Sequence, residues 1–212
     1  MEMVPAINDE REQLGGFDMQ KDQIIAQILD KELKMFTSVR ADQPVSCQQN
    51  ADEFKVFRSA QFQAWSKETL ESYLNDLEKA ESDGLNLMTL KYARMENQIP
   101  LIHDNPQVMQ MISEMVSIQS NWQKEMIRKF PSIMTRGRPI EEISSTSAMT
   151  SFKNYLSCEL ETYSQMTLTH LFRDIMSCHS NGINMSETIY EAMVMNLGYA
   201  SLAEANEEAR SG

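Results

Sequence analysis

From Lys21 onward, apolar side chains return every three or four positions rather than every second one. Ile24, Ile25, Ile28, Leu29, Glu32, Met35 and Phe36 form one such stripe and predict a helix over 21–36. Residues 38–50, with Pro44, Cys47 and two glutamines, read as a loop. Asp52 can cap a helix running to about Trp65, and Ser66 opens another that runs to about Ser82. Gly84 is placed to end that helix in a left-handed turn. Asn86 then caps a helix carrying Leu87, Leu90, Tyr92 and Met95, which stops before Pro100. Asn105-Pro106 starts a longer one through Met111, Met115, Ile118 and Trp122 to about Phe130, where Pro131 stops it. Residues 131–148, with Gly137, Pro139 and a Ser/Thr cluster, are the longest irregular stretch. Helices follow at about 149–163, 164–180 and 184–197; Gly198 ends the last, and Ser201 caps a short helix over 201–210.

The pattern repeats. Shifted by 98 residues, positions 53–95 meet 151–193. Twelve of the 43 pairs are identical: Phe54, Lys55, Ser59, Ser66, Thr69, Leu70, Asp76, Ser82, Gly84, Asn86, Tyr92 and Met95 in the first copy. The helix before each copy also matches, at a shift of 87, with Ile25 on Ile112, Leu29 on Val116 and Glu32 on Gln119. The expectation is an all-α protein: one helical domain over 21–212, behind a flexible lead-in at 1–20. It would be built from two homologous four-helix repeats (21–100 and 105–197) related by a pseudo-two-fold axis, with a short C-terminal helix.

Positions that differ between the copies are where chemistry would lie. Arg58, Gln61, Phe62 and Trp65 share a helix face; their counterparts are Leu156, Glu159, Leu160 and Tyr163. Lys91 and Arg94 become Ile189 and Ala192. The first copy thus places cations where the second places hydrocarbon, and a buried cation needs an anion. One way to meet that need is internal: Arg58 with Glu159 or Glu114, and Lys91 or Arg94 with Asp76 or Glu32. The other is a pocket between the repeats for an anionic, carboxylate-bearing or amino-acid-like small molecule. In that pocket Arg58, Gln61, Lys91 and Arg94 bind the ligand and Trp65, Trp122 and Tyr163 form aromatic walls. Tyr92 would be a proton donor and Glu159 a base or cation partner, in a biosynthetic group-transfer or condensation step. The alternative is a non-catalytic scaffold for protein partners. Asp76 and Asp174, polar in both copies, are expected to tie down a neighbouring backbone segment.

Composition trims these readings. The formal net charge of -12 excludes a general nucleic-acid or anionic-membrane binder, which needs a basic face. Three cysteines without CxxC spacing give neither a disulfide framework nor a zinc motif. No leader and no long apolar run is present, so a cytoplasmic protein with reduced thiols is expected. The 17 methionines suit an irregular core or a pliable pocket. His170, Asp174 and Cys178 fall at helical spacing, but their counterparts Ser72, Asp76 and Ala80 offer no second ligand set, so neither metal nor cofactor is assigned. Cys47 has no spaced partner for nucleophilic chemistry, and "TRGRPIEE" at 135–142, with Arg136 and Arg138, is a lid or anion-contact candidate.

The order of residues also resembles a family catalogued as a domain of unknown function, number four-one-two-five. The resemblance rests on Cys47-Gln48, Arg58-x-x-Gln61-Phe62-x-x-Trp65, Ser72-Tyr73-Leu74-x-Asp76-Leu77 and Lys91-Tyr92-Ala93-Arg94-Met95 in the first half. In the second it rests on Gln119-x-x-Trp122, Gly137-Arg138, Tyr155-Leu156-x-x-Glu159-Leu160 and Gly198-Tyr199-Ala200-Ser201-Leu202. It spans about 22–205 and implies no activity. Leu85 stands where the family pattern has Arg, so the resemblance brings no basic contact there.

Overall fold

The computed structural model describes residues 20–39, 51–135, 137–141 and 150–211. Among these the chain is helical throughout, without a strand. In order come α1 (Lys21–Ser38), α2 (Ala51–Gln63), α3 (Lys67–Ser82), α4 (Leu87–Met95), α5 (Pro106–Lys129), α6 (Pro131–Met134), α7 (Phe152–Leu160), α8 (Gln165–Ser180), α9 (Met185–Asn196) and α10 (Leu202–Ser211). None of these helices is long and apolar enough to cross a membrane. The 1–20 lead-in, apart from Gln20, lies outside the described residues, as do Cys47 and Arg136.

The capping side chains act as their sequence positions require. Ser66, Asn86, Asn105, Ser151, Ser164 and Asn184 each accept a first-turn backbone N–H. Gly84 (φ 69°) and Gly182 (φ 68°) close α3 and α8 in the left-handed region. There the amides of Leu85 and Ile183 reach back to the carbonyls of Ala80 and Cys178 at 2.8 and 2.9 Å, the bond that defines a Schellman turn.

Three details differ from expectation. Asp52 sits inside the first turn of α2 instead of capping it. α7 starts at Phe152 and ends at Leu160, because Ser151 takes the cap and Ser164 restarts the chain as α8. Within 131–148, α6 forms one short helical segment. Asn206 of α10 holds its start, the side-chain oxygen accepting from Ser132 N at 2.9 Å, a partner 74 residues away that local pattern could not announce.

α1 packs on α2, α3 and α4, and α5 packs on α7, α8 and α9. These two clusters meet where α3 crosses α8, α2 crosses α9 and α4 crosses α7. The core runs through Ile24, Ile28, Leu70, Leu77, Ile112, Met115, Leu168 and Ile175. A smaller cluster of Met126, Met193, Val194 and Leu202 seats α10.

At the α3–α8 crossing two aspartates reach across to each other's helix start. Asp76 Oδ2 accepts from Ser164 N at 2.9 Å, and Asp174 Oδ2 accepts from Ser66 N at 2.9 Å and from Thr69 Oγ1 at 2.6 Å. Each carboxylate thus satisfies a helix-start donor and sits at the positive end of a helix dipole. That is the backbone-tying role the sequence assigned to them, and it commits Asp174 away from metal ligation. Asp174→Ala removes two hydrogen bonds to charge and Asp76→Ala one. Urea unfolding is expected to show a loss of about 2 kcal/mol for the first and about 1 kcal/mol for the second. Losses within 0.3 kcal/mol of zero would deny the clamp.

Candidate functional site

Four charged side chains are buried together where α1, α2, α4 and α7 converge. Glu32 of α1 is 0% exposed, Lys91 2%, Glu159 5% and Arg58 9%. Arg58 on α2 is the hub. Its Nε donates to Glu32 Oε2 at 2.7 Å while Nη2 donates to Glu32 Oε1, a bidentate fork. Its Nη1 donates to Glu159 Oε1 and to Gln61 Oε1, both at 2.7 Å. Lys91 Nζ donates to Glu159 Oε2 at 2.9 Å and to the Tyr155 hydroxyl at 2.6 Å. Two tyrosines complete the carboxylates: Tyr73 OH donates to Glu32 at 2.6 Å and Tyr163 OH to Glu159 at 2.8 Å. The formal charges sum to zero, and among the described residues no buried side-chain nitrogen or oxygen lacks a partner.

Proximity sets the protonation states. Burial alone would raise the pKa of Glu159, but Arg58 and Lys91 hold its carboxyl well below the usual carboxylate range. Burial alone would lower Lys91, yet the Glu159 carboxylate holds it above an ordinary lysine. Arg58 is raised in the same way by Glu159 and Glu32. Burial pushes the Tyr73 and Tyr163 phenols up, and the neighbouring Glu32 and Glu159 charges push them further. All these groups therefore stay in the charge states that the hydrogen bonds require. A carboxylate so stabilised is a poor proton acceptor. Of the two roles considered for Glu159, cation partner is the one its hydrogen bonds display.

A cavity of about 690 Å³ opens beside this network, between α2, α4, α5, α7 and α9. Arg58, Gln61, Lys91, Tyr92, Glu159, Trp65 and Tyr163 all line it, so seven of the nine sequence candidates converge. Trp65 and Tyr163 form its inner wall with their rings edge to face, 6.1 Å between centroids.

Two candidates go elsewhere. Arg94 forks onto Glu161, with Nε at 2.7 Å and Nη2 at 3.2 Å from its oxygens, and donates from Nη1 to the Ile99 carbonyl at 3.1 Å. It ties the end of α4 to α7 and does not line the cavity. Trp122 faces the other side of α5. It lines a separate groove of about 600 Å³ with its ring 6.4 Å from His179, and its carbonyl accepts from the Asn184 side chain at 3.2 Å. Aromatic character at helical spacing signalled burial for Trp122 but not which face of a 24-residue helix would be buried against what.

Other cavity residues were missed or undervalued. Tyr155 lines it between two cations: Lys91 Nζ lies 3.8 Å and Arg138 Cζ 4.4 Å from its ring centroid. Its spacing one turn before Glu159 was the available signal. Glu32 sat in the apolar stripe of α1, and a carboxylate inside a buried stripe marks an ion partner. Gln119 and Gln123 of α5 also face the cavity.

Fold and cavity define an all-helical protein that encloses a charge-balanced polar cluster against an aromatic chamber. Residues 22–207 match the model of a family described as "Protein of unknown function (DUF4125)", and the chain belongs to that family. No curated protein and no solved structure matches it.

The network sets the pH response. Glu159, with its folded pKa depressed, contributes stability that is complete above about pH 4.3 and is lost as pH falls further. Lys91, with its folded pKa raised, contributes stability that is complete below about pH 10.4 and is lost as pH rises through the folded value. Equilibrium unfolding at stepped pH is expected to show a plateau bounded by these two limbs. Arg58→Leu leaves the buried Glu32 carboxylate without a cation and Glu159 with Lys91 alone, and is expected to cost about 3–5 kcal/mol at neutral pH. A cost under 1 kcal/mol would mean that the network does not hold in solution.

Proposed function

We propose that the chain is two homologous four-helix halves related by a pseudo-two-fold axis, and that the cavity between them binds an anionic small molecule. Helix pairing supports the duplication. α1 gathers α2, α3 and α4 as α5 gathers α7, α8 and α9, while α2 meets α9 as α4 meets α7. The aspartate clamps are reciprocal, and the cap residues Asn86 and Asn184 donate to the carbonyls of Met35 and Trp122, which occupy matching places on α1 and α5.

The observation that carries the binding reading is the cavity itself. About 690 Å³ falls within the range of small-molecule sites, its walls are mainly aromatic and aliphatic, and its cations gather with Tyr155 on one side. On the pseudo-two-fold, Arg58 and Lys91 face their apolar counterparts Leu156 and Ile189 in the same chamber. The chamber therefore presents both charged and hydrocarbon side chains to whatever it holds. The base that the sequence offered for a group-transfer or condensation step, Glu159, is committed to two cations and a phenol, so binding is the function we carry forward.

Ser186, buried and facing the cavity, corresponds to Met88 of the other half. Ser186→Met therefore fills the chamber with a side chain whose equivalent is already accommodated. In a thermal-shift screen of organic anions, one ligand at about a hundred times its dissociation constant should stabilise the wild type by roughly 2.7 kcal/mol. It should stabilise Ser186→Met markedly less. If no organic anion or apolar compound shifts the wild type, the binding reading fails and the scaffold alternative takes its place.

A further inference from the structure

Resting on the binding reading above, we infer that the ligand is an amphipathic monocarboxylate, a carboxylate on a hydrocarbon or aryl body. Its head is received by Tyr155 and Arg138, and not by Arg58.

Charge accounting moves the head group away from Arg58. Each guanidinium nitrogen of Arg58 already donates to a carboxylate or to Gln61, and the Glu32, Arg58, Glu159 and Lys91 charges cancel. One Nη2 hydrogen remains, but an anion arriving at Arg58 would be set against the two buried carboxylates that it already holds, and like charges repel strongly in such a place. Arg138 is different. It is exposed at the cavity rim, stacks on Tyr155, and donates to the Thr150 carbonyl at 3.4 Å. Among the described residues no carboxylate lies within ion-pair reach of it, so of the three cations lining the chamber it alone has no carboxylate held against it among those residues.

Tyr155 supplies the second contact. An ammonium only donates, so in the 2.6 Å contact with Lys91 the phenol oxygen is the acceptor. The phenol's own hydrogen is then left to give, and among the described residues no acceptor takes it. A phenol that accepts from a buried ammonium is a polarised donor, suited to a carboxylate oxygen. Arg138 and Tyr155 together offer two donors side by side.

The same accounting disfavours a zwitterionic amino acid. Its ammonium would need an uncommitted carboxylate; Glu32 and Glu159 already serve Arg58, Lys91 and two phenols, and Glu53, which also lines the cavity, is itself engaged. Much of the remaining wall is hydrocarbon, with Phe54, Phe152, Met88, Ile189 and Met193 set among the polar Gln119, Gln123 and Ser186. A ten-carbon acid, at roughly one water volume (~30 Å³) per heavy atom, fits with room to spare.

Isothermal titration with decanoate, decanol and 2-aminodecanoate tests this on the full chain and on Tyr155→Phe and Arg138→Gln. Arg138→Gln keeps the exposed position and is expected to melt as wild type; Tyr155→Phe keeps the ring but takes an acceptor from buried Lys91, so it is expected to melt below wild type and still fold. Decanoate should bind one to one, and decanol and 2-aminodecanoate at least about tenfold more weakly. Each substitution should weaken decanoate about tenfold and leave decanol unchanged. If decanoate and decanol bind alike, if neither substitution matters, or if 2-aminodecanoate equals decanoate, the head-group inference is overturned while the binding reading stands. If neither acid nor alcohol binds, the inference falls too. The wider anion screen with Ser186→Met then decides separately whether the chamber binds anything.

Discussion

Glu159 is held by two cations that come from different helices of the opposite half of the chain, Arg58 on α2 and Lys91 on α4. A buried carboxylate with one partner removed is among the more costly defects a small protein can carry, on the order of 3–5 kcal/mol. That cost makes the interaction a positional constraint. α7 cannot slide against α4, nor α2 rotate about its axis, without stranding charge away from water. The cavity inherits its shape from this constraint, because Arg58, Lys91 and Glu159 are at once struts of the fold and part of the chamber wall. Hydrocarbon at the same positions would hold the helices together as well or better, but with less specificity of register.

The helices were legible because their determinants are local. Ser66, Asn86, Ser164 and Asn184 cap in the structure as their sequence contexts require, and Gly84 and Gly182 stop helices because only a residue without Cβ adopts that turn cheaply. The burial of Arg58 and Lys91 was legible for another reason. Residues 53–95 and 151–193 share a pattern, and a cation at a position matched by Leu156 or Ile189 belongs in a low-dielectric place.

What stayed hidden depended on contacts distant in sequence. Internal pairing and a ligand pocket were set against each other as rival readings of the cations; the pairs form, with Lys91 on Glu159 and Arg94 on Glu161 rather than on Asp76 or Glu32, and the Arg58–Glu159–Lys91 set also lines a cavity. Periodicity places a residue on a face but does not say what that face meets. Arg94 and Lys91 lie three residues apart on α4, yet one forks onto Glu161 and the other onto Glu159, two residues apart on the partner segment. Trp122 went to the wrong side for the same reason. Asn206, which holds α6 from 74 residues away, carries no periodic signature at all.

A chamber built this way separates two tasks that a sequence reading merges. The buried cations look like a binding site because unpaired cations attract anions, but once paired they attract almost nothing at range. They do still polarise. Lys91 keeps one hydrogen bond for Glu159 and gives one to Tyr155, so the effect of the buried charge reaches the cavity surface through a neutral phenol. Arg58 and Lys91 line the cavity with their charges already balanced, so the wall they form is fixed by the fold itself, while Arg138 at the rim is tied to the structure only by a carbonyl and the Tyr155 ring.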